Sequence, residues 1–98
     1  MKNKQQIWEH INRAVKEDKK EFPSWPDHIA GQVGRITAST GTMMDHAIAA
    51  KYGAKEYASL NEGQIRFQAV RTIALCFRLL ENLDKKERVE VSEPILID

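Results

Sequence analysis

The sequence has almost no net charge. Fifteen basic residues oppose 14 acidic ones, a formal charge of +1 over 98 residues. A balance this even excludes a general attraction to nucleic acid or to an acidic membrane, so any anion site must be local. No basic stripe appears either, which argues against a DNA-binding module. Cys76 is the one cysteine, so no internal disulfide can form. It lies in the apolar run IALCFRLL, where a buried structural thiol is the expected role rather than a nucleophile. No apolar run is long enough to span a bilayer. The opening MKNKQQIWEH lacks the apolar centre of a secretory signal, and a cytoplasmic location is expected.

What is there is ordinary for a globular chain: 42% apolar and 30% charged residues. The length fits one domain, residues 1–98, with a core over 4–83 and a tail over 84–98. A chain this short buries only about two thirds of its unfolded surface, so a lone core would be marginal. Association into a homo-oligomer, a dimer or tetramer, is expected to complete it.

The pattern predicts an all-α fold with three main helices. Over 4–20, Ile7, Trp8, Ile11 and Val15 form one stripe, and the run KEDKKE reads as a solvated helix end. The segment FPSWP breaks the pattern, because Pro23 and Pro26 each disfavour helix in the residue before them. Ser24 is placed to cap a second helix over 26–52, with Pro26 and Asp27 in its first turn. On that helix Ile29, Val33, Ile36, Thr40, Met43, Met44 and Ala47 share a face, expected to be the core face. Gly31, Gly34 and Gly41 lower helix propensity and leave room for a close neighbour, and Gly53 is a stop signal. Ser59-Leu60-Asn61-Glu62 has the form of a capping box and should open a third helix over 60–83. Its expected core stripe is Ile65, Ala69, Val70, Ile73, Cys76, Phe77 and Leu80. Phe67, Ala74, Leu75 and Leu79 point elsewhere, which predicts burial on more than one side and a subunit interface. The tail, with Val89 and Val91 alternating with charges before Pro94, is expected to be extended, as a strand or an arm.

A second edge of the middle helix carries Arg35, Ala38, Ser39, Thr42 and His46. Here ITASTGTMMDHAI, followed later by FQAVRTIALCFRLLENL, resembles the small phage-type members of the MazG-like, all-α nucleotide pyrophosphohydrolase superfamily. Those proteins carry tryptophan-proline before a long helix, then E-E-x-G-E with an aliphatic pair, then a helix reading roughly E-A-V-Q-T-A-A-x-x-x-R-x-L. Gly41, Met43, Met44 and Ala47 match the first motif. Ala69, Val70, Thr72, Ala74, Arg78 and Leu80 match the second. The likeness covers about residues 25–83.

The departures fall on the chemistry. The family's magnesium-holding acids align with Ala38, Ser39, Thr42 and Gln68. Magnesium needs hard oxygen ligands, usually including a carboxylate or two. The two helices keep only Asp27, Asp45, Glu62 and Glu81, and no two of these share the motif's face. Arg71 stands three residues after the position of the second motif's acid, and a guanidinium binds phosphate directly. The resemblance therefore implies a nucleotide-sized pocket, while the residues argue against hydrolysis and against a metal or other cofactor.

The expected ligand-binding residues are Arg35, Ser39, Thr42, His46, Gln68, Arg71 and Trp25. Trp25 either anchors the chain or stacks on a base; Tyr52 and Tyr57 carry the same alternatives. Arg35, Arg66, Arg71 and Arg78 are each also candidates for ordinary ion pairs. His28 and His46 lie about 27 Å apart by helical rise and cannot share a metal within one chain. The expectation is a non-catalytic protein that binds a nucleotide or nucleotide-derived signal. In a stand-alone phage-type domain this would serve to sequester a host immune messenger. The alternatives are an active pyrophosphohydrolase with metal held by residues such as Asp45 and Glu81, and a structural or regulatory oligomer acting on a host protein.

Overall fold

A computed structural model describes the backbone of residues 3–91 and the side chains up to residue 85. Three helices hold nearly all of it: α1 (Lys4–Glu21), α2 (Ile29–Tyr52) and α3 (Ala58–Val91), with one 3-10 turn at Lys55–Tyr57. The all-α class expected from periodicity is what forms. None of the helices among the described residues is long and apolar enough to cross a membrane.

Local chemistry sets the ends. Asn3 caps α1: its side chain accepts from the Gln6 backbone N–H at 2.9 Å, and Gln6 Oε1 accepts from the Asn3 N–H at 3.0 Å. This satisfies two of the donors that a helix start leaves unpaired. Lys19 and Lys20 sit in the last turn of α1, where cations favour the helix dipole. The second helix starts three residues later than expected, and His28 rather than Ser24 caps it. His28 Nδ1 accepts from the Gly31 N–H at 2.9 Å. The Pro26 carbonyl is engaged by Gln32 Nε2 at 2.9 Å, so the Pro26–Asp27 segment folds as a turn ahead of the helix. Gly31 permits the cap, since a Cβ there would press on the His28 ring. The expected capping box at Ser59 does not open α3, because the helix already begins at Ala58, directly after the 3-10 turn. At its other end α3 continues to Val91, eight residues past the expected stop at 83. The expected extended tail is thus helical over 84–91; the rest of that expectation lies outside the described residues.

The long third helix is the shared partner of the other two. Asp18 meets Arg78 and Lys19 meets Glu81, so α1 runs parallel to α3. Gln32 bonds Asn82, Ser39 bonds Thr72, and His46 meets Asn61, so α2 runs antiparallel to it. Among the described residues Ile11, Val15, Ala74 and Leu75 are the buried apolar ones, and all but Leu75 join in one α1–α3 cluster.

Two expectations about faces hold only in part. On α2 the buried residues are Gln32 and Ser39; Ile36, Met43 and Ala47 of the expected core face are half-buried, as are Arg35 and His46, while Ile29, Val33, Thr40 and Met44 are exposed. On α3 the buried residues are Ala74, Leu75 and Arg78; Ile65, Ala69, Val70 and Cys76 of the expected core stripe are half-buried, with Val70 packed on the core, whereas Ile73, Phe77 and Leu80 are exposed. The α2–α3 seam is held by paired polar groups, and polar groups that satisfy one another can be buried at modest net cost. A third correction concerns KEDKKE. It is not wholly solvated, because Asp18 is 7% exposed and continues the Ile11–Val15 stripe into the interior.

Candidate functional site

Asp18 is the hub of the polar interior. Arg35 grips it with both terminal nitrogens, Nη1 to Oδ2 at 3.2 Å and Nη2 to Oδ1 at 3.0 Å. Arg78 Nη1 donates to the same Oδ2 at 2.7 Å and to the Phe22 carbonyl at 2.9 Å. Both guanidiniums also lie over aromatic rings. Arg35 sits 4.8 Å from the Phe22 centroid and 5.1 Å from that of Trp25, and Arg78 lies 4.5 Å from Trp25. Burial alone would raise the Asp18 pKa. The hydrogen bonds from Arg35 and Arg78, with their charges, outweigh it and hold the carboxyl below its ordinary 3.8. One carboxylate thus serves two arginines, and the cluster keeps a surplus positive charge.

Beside this cluster, on the side of the α2–α3 layer that α1 covers, opens a groove of about 320 Å³. Its walls are Phe22, Arg35, Ala38, Ser39, Thr42, Gln68, Arg71 and Leu75. The volume falls at the lower end of the range of small-molecule sites. No carboxylate, histidine or cysteine is among these residues.

The groove brings together five of the seven residues expected to bind a ligand: Arg35, Ser39, Thr42, Gln68 and Arg71. Their donors are not equally available. Arg35 is committed to Asp18. Ser39 is buried and bonds Thr72 Oγ1 at 2.8 Å and Gln68 Oε1 at 3.3 Å. Thr42 donates to the Ala38 carbonyl at 3.1 Å, as Thr37 does to Val33 and Thr40 to Thr37. The hydroxyls read from the sequence as ligand donors are therefore spent on the protein itself. Two donors are left. Gln68 uses its oxygen on Ser39 and leaves its amide nitrogen unengaged among the described residues. Arg71 has no ion pair among the described residues; its guanidinium lies 5.9 Å from the Phe22 centroid. It also borders a smaller crevice with Glu17 and Glu21.

The other two expected residues are elsewhere. Trp25 does not line the groove; its ring is covered by two guanidiniums and its indole nitrogen is buried. His46 is farther along α2, with Nδ1 3.3 Å from Asn61 Oδ1, and ties α2 to the start of α3. Of the arginines left open, Arg78 is an ion-pair residue and Arg66 is exposed without a partner among the described residues. Tyr52 and Tyr57 are exposed at the far end of α2, away from the groove.

No known family model matches this chain, and no curated protein or solved structure is significantly similar to it. The likeness to MazG-like proteins therefore stands on the two helix motifs alone.

Sequence reasoning missed Asp18 and Phe22. The signal for Asp18 was present: it follows Ile11 and Val15 at spacings of four and three, so it belongs to their stripe. Phe22 carried no periodic signal. It lies in the break after α1, and only the turn at Pro23 brings its ring beneath Arg35.

The arrangement also bears on metal chemistry. Among the described residues no three His, Cys, Asp or Glu side chains form a group able to hold a metal ion. Asp45 and Glu81 are not neighbours in one chain. Asn82 is level with Gln32, and Asp45 is thirteen residues beyond Gln32, about 20 Å along the helix. Glu81 is instead paired with Lys19 at 2.9 Å.

Proposed function

We propose that the protein binds a small anionic ligand of nucleotide type in the α2–α3 groove and does not turn it over. The observation that carries this reading is a groove lined by two arginines and an amide with no carboxylate in its wall. Arg71 supplies the cation for a phosphate, helped by the Gln68 amide. Arg35, fixed by Asp18, adds surplus positive charge to one wall without being free to move. Phe22 offers an apolar ring beside them for a base. Hydrolysis would need a general base or a carboxylate-held metal at the phosphates, and the lining contains neither. The resemblance to pyrophosphohydrolases supports the ligand class, and the replacement of the aligned acids supports the lack of turnover. Sequestration of a nucleotide-derived messenger is the use that fits a binder without chemistry.

The test is calorimetric titration with mononucleotides, cyclic oligonucleotides and ADP-ribose derivatives, with chelator present. Binding should survive the chelator. Arg71→Ala should weaken it by about tenfold to a hundredfold, the worth of one charge-assisted hydrogen bond or a pair. Magnesium-dependent release of pyrophosphate or phosphate would reject the lack of turnover. Silence across the panel would reject the ligand class, and an unchanged affinity in Arg71→Ala would remove the groove from the site.

A further inference from the structure

Three polar contacts tie Ser39, Gln68 and Thr72 together across the α2–α3 seam, but the two hydroxyls among them hold only two protons. Thr72 Oγ1 lies 2.7 Å from the Gln68 backbone carbonyl, and Ser39 Oγ lies 2.8 Å from Thr72 Oγ1. Ser39 Oγ also lies 3.3 Å from Gln68 Oε1. A hydroxyl donates once and a carbonyl never. Two oxygens at 2.7 or 2.8 Å with no proton between them repel, so the short contacts take both protons. Thr72 donates to the Gln68 backbone, and Ser39 donates to Thr72. Nothing remains for the third contact, which is also the longest. Ser39 is 6% exposed, and two facing acceptors at a buried site are unfavourable. A half-turn of the Gln68 amide removes the conflict. Its oxygen and nitrogen are nearly alike in size and exchange places with no other movement. Nε2 then donates to Ser39 Oγ, all three contacts become hydrogen bonds, and Oε1 turns to the groove that Gln68 lines.

We propose that Gln68 stands this way round in the working site and accepts a hydrogen bond from a ribose hydroxyl of the ligand, so that the groove selects ribonucleoside 5′-phosphates with a free 2′,3′-diol. The proposal rests on the nucleotide reading above and moves Gln68 from the phosphate to the sugar. Thr42 adds to the same character. Its hydroxyl gives its proton to the Ala38 carbonyl at 3.1 Å and keeps lone pairs for the groove that it lines. Acceptors of this kind repel a phosphate oxygen and suit a donor, and each hydroxyl of a ribose diol is a donor. Arg71 follows Gln68 by three residues on α3, so the two side chains are neighbours, about 5–6 Å apart at Cβ. With the phosphate on Arg71, the far edge of the ribose reaches Gln68 and Thr42. A site that pairs with a hydroxyl rejects the analogue lacking it, because its own acceptor is then left without a partner.

Two measurements on the full chain test this. Calorimetric titration, with chelator present, compares the common ribonucleoside 5′-monophosphates with their 2′,3′-dideoxy counterparts. The wild type should bind the dideoxy form about tenfold more weakly, and Gln68→Leu should lose most of that preference. In the free wild-type protein, nuclear magnetic resonance should show a strong Overhauser effect between a Gln68 Nε2 proton and the Ser39 β-protons. This readout needs neither a ligand nor a variant. Ribonucleotides and dideoxynucleotides bound alike by the wild type would overturn the proposal and leave the nucleotide reading standing. A preference that persists in Gln68→Leu does the same, as does the absence of the Overhauser effect. If no nucleotide binds at all, the proposal falls together with the reading on which it rests.

Discussion

At the scale of single residues, Asp18 decides more than any other side chain. It pairs with both Arg35 and Arg78 from within the interior, and Arg78 is itself 7% exposed. Removing one member of a buried ionic cluster leaves the others unpaired, at a cost of about 3–5 kcal/mol. Asp18→Asn should be destabilised by that order in urea denaturation at neutral pH. The acid limb follows from the same contacts. The folded-state pKa of Asp18 is depressed below 3.8. Its contribution is therefore complete above the ordinary carboxylate value and is lost as pH falls through the lower folded value. The wild type should lose stability below about pH 4, and Asp18→Asn should lose less over the same window. Parallel losses in both proteins would show that Asp18 is not the linked group. The site was partly legible at this scale. Ser39, Thr42, Gln68 and Arg71 came from matching motif positions and Arg35 from the helix edge it shares with Ser39 and Thr42, and these five line one groove. Which of them keep a free donor was not legible. That depends on partners such as Asp18 and Thr72, which are far away in sequence.

At the scale of elements, the helices were legible and their orientations were not. FPSWP and Gly53 interrupt a 3.6-residue pattern, and three helices lie between and beyond them. The inward faces of α2 and α3 could not be read because both helices are apolar around much of their circumference, while Gln32, Ser39 and Arg78 are buried through mutual pairing that periodicity does not report. The glycines of α2 give an element-scale test. A Cβ at Gly41 would meet nothing within 4 Å in the single chain, whereas one at Gly53 would collide with the Ala49 carbonyl, which already accepts the Gly53 N–H at 2.8 Å. Gly41→Ala should gain about 1 kcal/mol of helix propensity and raise the melting temperature by roughly 4–8 °C. Gly53→Ala should lose about 1–3 kcal/mol through overpacking at the end of α2. Scanning calorimetry of the two variants checks both signs. A fall for Gly41→Ala would show that another copy packs against that glycine.

At the scale of the whole molecule, the α2–α3 layer has two unlike sides. One carries α1, the arginine cluster and the groove; the other is an apolar face with no cover among the described residues. This division accounts for the exposed apolar residues of both helices. Within one chain the polar pairs Gln32–Asn82 and Ser39–Thr72 fix the register of α2 on α3. A fold divided this way should not be fully stable as one chain. If two copies share a core, unfolding also separates them, and stability depends on concentration by mass action. A hundredfold rise in protein concentration should then stabilise the assembly by about 2.7 kcal/mol of dimer. The thermal midpoint should climb steadily across a dilution series. In Met44→Asp, where a charge is placed on the face, the midpoint should be lower and nearly flat with concentration. A wild-type midpoint that does not move on dilution, at concentrations spanning dissociation, would mean that the single chain holds itself together and that the exposed face contributes nothing to folding.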